Sequence, residues 1–523
     1  MSFDAEALLW KVVGRDNKKP HHGDPSREVF ETVVFVVVLV LMLKLFVAEA
    51  FVIPTGSMAT TLYGEQIKAT CPECGHKFPV TASVQLGVRI KPVSVHCRNC
   101  GHSFEPAHPE DWNSGDRVLV AKYAYHIRPP HRFDVPVFKY PEQPYSKVEL
   151  SAMNYIKRLI GLPGETIAIY NGDLYRTDKL TYPDRPRPND PKDLWKLEYT
   201  YNANPRDATA HEARELFAQG GFEMIRKTPD EILAVRRLVF DLDEQPRSLM
   251  DRKRTRWFHA PGDDAGWEMQ AAGFKHEGDA LGWVRYQHVQ PGWGRPDRVI
   301  QPVPIRDDMS YNIERSNSPT SGQYWAPDLI VECDAEVHSA DTEITLELVK
   351  AGAHYQAIFA AGICKLVAIP PEGTGPAITL AEHAAKLSAG KKYSLSMANV
   401  DARLTVWVDG TPLPFGPAAD YAVPDRKTFD HTTLDVEAPA RIGAKGGVTC
   451  SKVKLWRDVY YTCSDNSSCG VQTYYVQPGH YLCLGDNSSS SSDGRTWGLV
   501  PERLLLGRAV VVYWPPSRVG MIK

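Results

Sequence analysis

From Val33 to Val47 the chain reads VVFVVVLVLMLKLFV, and the apolar character extends upstream to Val29 and Phe30 and downstream from Ala48 to Ile53. After Glu31 only Lys44 and Glu49 interrupt it. A bilayer core of about 30 Å takes roughly 20 apolar helical residues to cross, and strands rarely run so long. The run therefore predicts a transmembrane helix over 29–50. It starts too late for a cleaved secretory signal, and no small-residue cleavage site follows it directly. Lys44 can snorkel toward an interface or face a partner. Residues 1–28 carry Lys11, Arg15, Lys18, Lys19 and Arg27, which predicts a cytoplasmic tail by the positive-inside rule. No second run of spanning length follows, so the rest of the chain is expected on the outer side of a cell membrane crossed once.

A chain of 523 residues is too long for one ordinary domain. Its net charge of −3 gives no basic excess, which argues against nucleic acid as a partner. With 43% hydrophobic and 24% charged residues the composition is globular. Forty prolines and 38 glycines suggest many turns between strands, and ten cysteines are too few for a disulfide scaffold of this length.

Three segments hold residues suited to chemistry. The first, FVIPTGSMATTL (Phe51 to Leu62), follows the apolar run and places Ser57 in a Pro-Thr-Gly-Ser-Met turn. Pro54 fixes one dihedral angle there and Gly56 permits an unusual one. Taken alone, such a Gly-Ser pair is an ordinary turn. The second is YIKRLIGLPGETI (Tyr155 to Ile167). Tyr155, Lys157 and Leu159 alternate with Ile156 and Arg158, which reads as a strand with Lys157 on an otherwise apolar face. Such a lysine usually snorkels to solvent. If buried, it loses stability as an ammonium, and its neutral amine can take a proton from a serine hydroxyl. The third is LGDNSSSSSDGRTWGLVP (Leu484 to Pro501), a serine run bracketed by turn formers and a potential ion pair.

In this order the three segments resemble the conserved boxes of the type I signal peptidases, the serine–lysine class of leader peptidases. SGDRVLVAKYAY (Ser114 to Tyr125), followed by RPPHRFDVPVFKYPE (Arg128 to Glu142), resembles a fourth. The likeness covers roughly 29–67, 112–175 and 475–515. It implies a membrane-bound serine endopeptidase that removes signal peptides from exported preproteins, with Ser57 as nucleophile and Lys157 as general base. It further implies Ser491 as a serine orienting that lysine, and an oxyanion hole made by the Ser57 amide and the Thr55 hydroxyl. Asp493 and Arg495 fall at the family's structural pair, with Asp486 and Arg158 as further support. Phe51, Ile53, Met58, Leu62, Tyr155 and Ile156 would line shallow pockets for small substrate side chains. No cofactor enters such chemistry, and the implied partners are preproteins with small residues at the cleavage site, and membrane lipid. The family usually has Pro where this chain has Thr60.

The remainder is insertion. CPECGHKF and CRNCGHSF place Cys71, Cys74, Cys97 and Cys100 in two Cys-x-x-Cys knuckles separated by 22 residues. That spacing matches a four-thiolate zinc ribbon, expected over 68–111, with structural zinc. Disulfides are the alternative in an oxidising compartment. His76, His96 and His102 are expected to be bystanders. Residues 178–325 form an insert of unassigned fold, with a short helix expected between Lys227 and Arg237. Residues 326–474 alternate between strand-like segments and turns, which suggests a β-sandwich. LTVWVDGTPL within it resembles laminin-G/concanavalin-like jelly rolls, which implies a possible glycan or protein ligand. Cys463 and Cys469 are a candidate disulfide, and Cys333, Cys364, Cys450 and Cys483 are expected as buried thiols. The architecture expected is mainly β: a tail (1–28), a membrane helix (29–50), a catalytic core (51–67, 112–177 and 475–523) and the inserts. A competing reading is a membrane-anchored binding protein, its sandwich the working part and its peptidase core inactive.

Overall fold

The structure is a computed structural model that describes residues 25–85, 88–89, 91–140, 153–180, 208–251, 255–259, 266–270, 272–289, 301–312, 322–422, 429–462 and 470–523. Most of the tail expected over 1–28 lies outside them, as do Cys463 and Cys469.

The apolar run begins as a helix, α1 (Pro25–Met42), which loosens into a π-helical turn at Leu43–Val47. Its apolar side chains from Val29 to Leu43 are exposed all along its length. Among the described residues no helix is long and apolar enough to cross a membrane. The helix is also shorter at its C-terminal end than expected. At Ala48 the chain becomes strand β1 (Ala48–Val52), paired antiparallel with β2 (Arg117–Ala121). The last apolar residues of the run are thus drawn into a sheet, where their backbone groups find partners.

Around this start the residues expected to form the catalytic core make a set of small antiparallel sheets. Strands β3 (Pro136–Lys139), β4 (Asn154–Ile156), β5 (Arg158–Gly161), β6 (Thr166–Tyr170) and β7 (Asp173–Thr177) come before the large insert. Strands β8 (His480–Leu484) and β9 (Leu505–Trp514) come after it. One sheet runs β1-β2-β9-β3-β4, with Gly520–Met521 folded back on β9. A second joins β5, β8 and Val500–Pro501, and a third joins Glu223–Met224, β7, β6 and Gln472–Tyr475. The C-terminal segment GRAVVVYWPP is the central strand of the first sheet, which fits its apolar character. Ile53, Met58, Leu62, Val118, Val120, Val135, Val137, Ala509 and Val512 pack beneath it.

The sandwich is larger than the core it interrupts. One sheet runs Trp267–Gln270, Gly273–His276, Val448–Arg457, Leu329–Val337, Lys391–Val400, Arg403–Val408 and Thr411–Pro412, with Arg237–Asp241 also paired to Val448–Arg457. The facing sheet runs Trp257–Phe258, Gly282–Tyr286, Ala440–Lys445, Glu343–Lys350, Ala353–Ala360, Ile363–Ile369 and Ile378–Ala384. Strict alternation of buried and half-buried residues along Ala353–Ala360 shows why one face of each strand closes the core. The sandwich therefore takes strands from 237–286, well before residue 326, where it was expected to start. Those strands are short, and their Trp-, Arg- and Gly-rich sequence hides the alternation. The helix expected after Lys227 is Pro229–Val235, opened by a Thr228–Glu231 capping box.

Buried ion pairs hold the insert together internally. Lys227 binds Asp401 at 2.7 Å and Asp458 at 2.8 Å, and Lys350 pairs with Asp328. The ribbon docks through Asn99, which donates to the Glu244 carbonyl and accepts from the Asp241 amide, each at 2.7 Å.

Candidate active site

Ser57 sits in a single 3-10 turn, Gly56–Met58, directly after β1. Met58 is fully buried and anchors the turn to the core. The chain returns through Leu62, whose amide donates to the Met58 carbonyl at 2.9 Å.

Lys157 approaches from the other side. It does not lie within one strand, as the alternation predicts. The chain breaks there between β4 and β5, which belong to different sheets. Stepping from one sheet to the next turns the lysine inward, and only 3% of it is exposed. Its Nζ donates to Ser57 Oγ at 2.5 Å and lies 5.4 Å from the centre of the Tyr155 ring. Burial lowers its pKa to about 8, against the pull of the Asp493 charge, which would raise it. An amine at that pKa is partly neutral near pH 7, and its lone pair can then accept the serine proton.

The third segment clamps the turn. Asn487 donates its backbone N–H to the Ser57 carbonyl and its side-chain Nδ2 to the Gly56 carbonyl, both at 3.0 Å. Asp486 receives two bonds from Arg158 at 2.7 Å, with both side chains fully buried, and one from the Thr61 hydroxyl at 2.6 Å. Arg158 and the other donors hold the Asp486 carboxyl below its ordinary value despite its burial. Asp493 binds Arg495 in the same two-pronged way at 2.9 and 2.7 Å and accepts from the Gly485 amide at 2.9 Å. Arg495 in turn donates to the hydroxyl and carbonyl of Ser488 at 2.6 and 2.7 Å. These buried ionic bonds make a rigid floor under the serine turn.

Some expected residues are placed differently. Ser491 makes no hydrogen bond to Lys157; its hydroxyl is buried without a partner. It packs on Gly485, where a Cβ would come within 2.1 Å of Ser491 Oγ. The 3-10 turn Ser488–Ser490 sets that position, and Nζ of the lysine is already engaged by Ser57. Ile53, Met58 and Leu62 are core residues rather than pocket walls, whereas Phe51, Tyr155 and Ile156 keep exposed surface. Thr55 is extended and immediately precedes the turn. Three contributors were not foreseen: Arg237, Tyr311 and Asn312, all from the insert. No spacing or composition cue marks them.

The cysteine cluster forms as the knuckles predict. All four cysteines are free thiols whose Sγ atoms lie within 4.8 Å of one another. Cys71 and Cys100 are 3.5 Å apart, and Cys74 and Cys97 are 3.7 Å apart. Zinc–sulfur bonds of about 2.3 Å in a tetrahedron imply sulfur separations of about 3.8 Å, so the cradle fits that ion. Gly75 and Gly101, at φ +78° and +82°, turn each knuckle back so that their amides reach the Cys71 and Cys97 carbonyls. Cys333, Cys364, Cys450 and Cys483 are buried free thiols.

Fold and site together define a mainly β chain in which a half-buried serine meets a buried lysine. The family model described as "Signal peptidase, peptidase S26" matches residues 80–220 and 405–514. These segments hold Lys157 and the Gly485–Arg495 box, while Ser57 lies before them. Signal peptidase I of Rickettsia massiliae is 28% identical over 165 residues, 31% of this chain and 48% of the relative. A probable signal peptidase I-2 of Synechocystis is 51% identical over 47 residues, 9% of this chain and 22% of the relative. A probable thylakoidal processing peptidase 2 of Arabidopsis thaliana is 40% identical over 52 residues, 10% and 14% respectively. The chain thus spans about half or less of the length of these curated relatives. Among solved structures, carbohydrate-binding module CBM66 from Bacillus subtilis aligns at a TM-score of 0.24 and 13% identity, over 38% of this chain and 95% of its own. Sheep galectin-11 aligns at 0.18 and 13%, over 24% and 88%. Likeness at that level decides neither fold nor ligand. The chain is thus similar, over a little under half of its length, to the signal peptidases of the peptidase S26 family.

Proposed function

We propose that the chain is a membrane-bound serine endopeptidase that removes N-terminal signal peptides from exported preproteins. The observation that carries this reading is the buried Lys157 amine 2.5 Å from the Ser57 hydroxyl. Neutral Lys157 takes the Ser57 proton as Oγ attacks the carbonyl carbon of the scissile bond. The Ser57 amide and the Thr55 hydroxyl hold the oxyanion. Lys157 then gives the proton to the leaving amine, and a water deprotonated by the same lysine releases the acyl group. Phe51, Tyr155 and Ile156 form the surface that meets small substrate side chains, with Ile53, Met58 and Leu62 as its floor. Strands β1 and β4 end the first sheet, and an extended substrate adds to such an edge.

Cys71, Cys74, Cys97 and Cys100 hold one structural zinc ion. Four thiolates leave no open position on it, so it takes no part in catalysis. α1 and the turn after it lie in the membrane: apolar side chains exposed along a whole helix face solvent at a cost that lipid removes. The basic tail then stays on the cytoplasmic side, with the catalytic body outside.

The test is cleavage of a preprotein with an Ala-x-Ala site by the detergent-solubilised chain, beside Ser57→Ala and Lys157→Ala. Cleavage after the second Ala, lost in both variants, is the expected result. Equal cleavage by Lys157→Ala would remove the mechanism.

A further inference from the structure

The large insert reaches the serine turn itself. The Arg237 guanidinium, from the first sandwich strand, donates to the Thr60 hydroxyl at 2.8 Å, the Ala59 carbonyl at 3.0 Å and the Asp486 carbonyl at 3.1 Å. The Tyr311 ring lies against Gly56, where a Cβ would come within 2.1 Å of it, and its hydroxyl accepts from the Gly64 amide at 3.2 Å. Asn312 and Asn487 pair amide to amide. Asn312 Nδ2 donates to Asn487 Oδ1 at 2.9 Å, and Asn487 Nδ2 donates to Asn312 Oδ1 at 2.7 Å. Both residues are buried.

Asn487 is the residue that grips both the Gly56 and the Ser57 carbonyls. A free side-chain amide rotates, and its O and N ends exchange places at little cost. Here a flip would turn the Asn487 amide oxygen onto the Gly56 carbonyl, and the two bonds with Asn312 add to the hold on the orientation that grips the turn. The backbone around Asn312 is tied to the sandwich. Arg457, which ends the strand Val448–Arg457, donates to the Asp307 and Asp308 carbonyls at 2.8 and 3.0 Å. A line of hydrogen bonds therefore runs from a sandwich strand through Arg457, the 307–312 turn and Asn487 to the nucleophile.

We propose that Asn312 is a positioning residue for Ser57, and that the insert completes the active site rather than hanging from it. Asn312 touches no reacting atom. It fixes the Asn487 amide, which fixes the turn that aims Ser57 Oγ at Lys157. This rests on the peptidase reading above, and the two fail separately. A folded unmutated chain that cuts no preprotein overturns the peptidase reading. Hydrogen exchange over 54–64 tests the positioning whether or not anything is cut.

The experiment compares the full chain with Asn312→Ala, Asn487→Ala and the double variant. In Asn312→Ala, exchange is expected to rise over 54–64 and to stay unchanged in the sandwich strands. kcat should fall about tenfold with KM within twofold. The loss in the double variant should match that of Asn487→Ala alone, because both changes release one turn. Asn312→Asp keeps volume and the acceptor for Asn487 Nδ2. It supplies the same local reading if Asn312→Ala loosens the whole chain, and its kcat should fall between the two. Unchanged exchange over 54–64 would overturn the proposal, as would losses that simply multiply in the double variant.

Discussion

In the proposed mechanism Lys157 works as a neutral amine, and its burial sets the pH at which that form exists. With a pKa lowered to about 8, the active fraction falls about tenfold per pH unit below that value. The rate of cleavage at low substrate should rise through pH 6–8 with unit slope and level off above about pH 8. A flat profile across that range would show that another group is the base. Lys157→Arg should be inactive, because a guanidinium stays charged at any working pH. Arg158, the next residue, serves stability instead. Arg158→Ala leaves the fully buried Asp486 carboxylate without its partner, and breaking such a pair costs about 3–5 kcal/mol. Urea unfolding would measure the loss, and a change under about 1 kcal/mol would refute it. Residue chemistry was legible where the sequence concentrates it. Ser57, Lys157, Asp486, Asp493 and Arg495 meet as their boxes imply. Asn312 was not legible, because its role depends on an amide 175 positions away and no local pattern announces such a partner.

At the level of elements, periodicity told the truth about long strands and misled at breaks. Ala353–Ala360 alternates along its whole length and could be read directly. Lys157 seemed to sit inside such a strand, yet the chain changes sheet at that residue, and a period of two looks the same on either side of a step. The strands between 237 and 286 escaped notice because they are two to five residues long, too short to show a period. The cysteine knuckles were the clearest local signal, since two Cys-x-x-Cys pairs have the spacing that brings four thiols together. Stripping metal from the full chain with a strong chelator should release about one zinc per chain. It should also lower the melting temperature of the whole chain, because Asn99 and Arg98 bind the ribbon to the sandwich loops. Cleavage of a short peptide at low temperature should persist. Loss of catalysis without loss of stability would give the metal a chemical role.

Across the whole molecule, α1 stands apart from everything else, its apolar surface uncovered. The full chain should float with phospholipid vesicles, and a variant lacking residues 1–47 should stay in the aqueous fraction. Flotation of that shortened chain would place membrane contact on the catalytic body instead. The presence of a four-cysteine cluster and of a β-sandwich within 326–474 could be read from cysteine spacing and strand alternation. How the parts join could not, because the Asn312–Asn487 and Asn99–Asp241 contacts link residues 175 and 142 positions apart. That separation also has a consequence in time. The ribosome delivers Ser57 first and Lys157 a hundred residues later, whereas Asn487 and Asp493, which brace the serine turn and its floor, follow more than 300 residues after that. A nascent chain therefore carries Ser57 through that stretch of synthesis without its clamp, and under the proposed function it gains activity only once Asn487 and Asp493 have emerged.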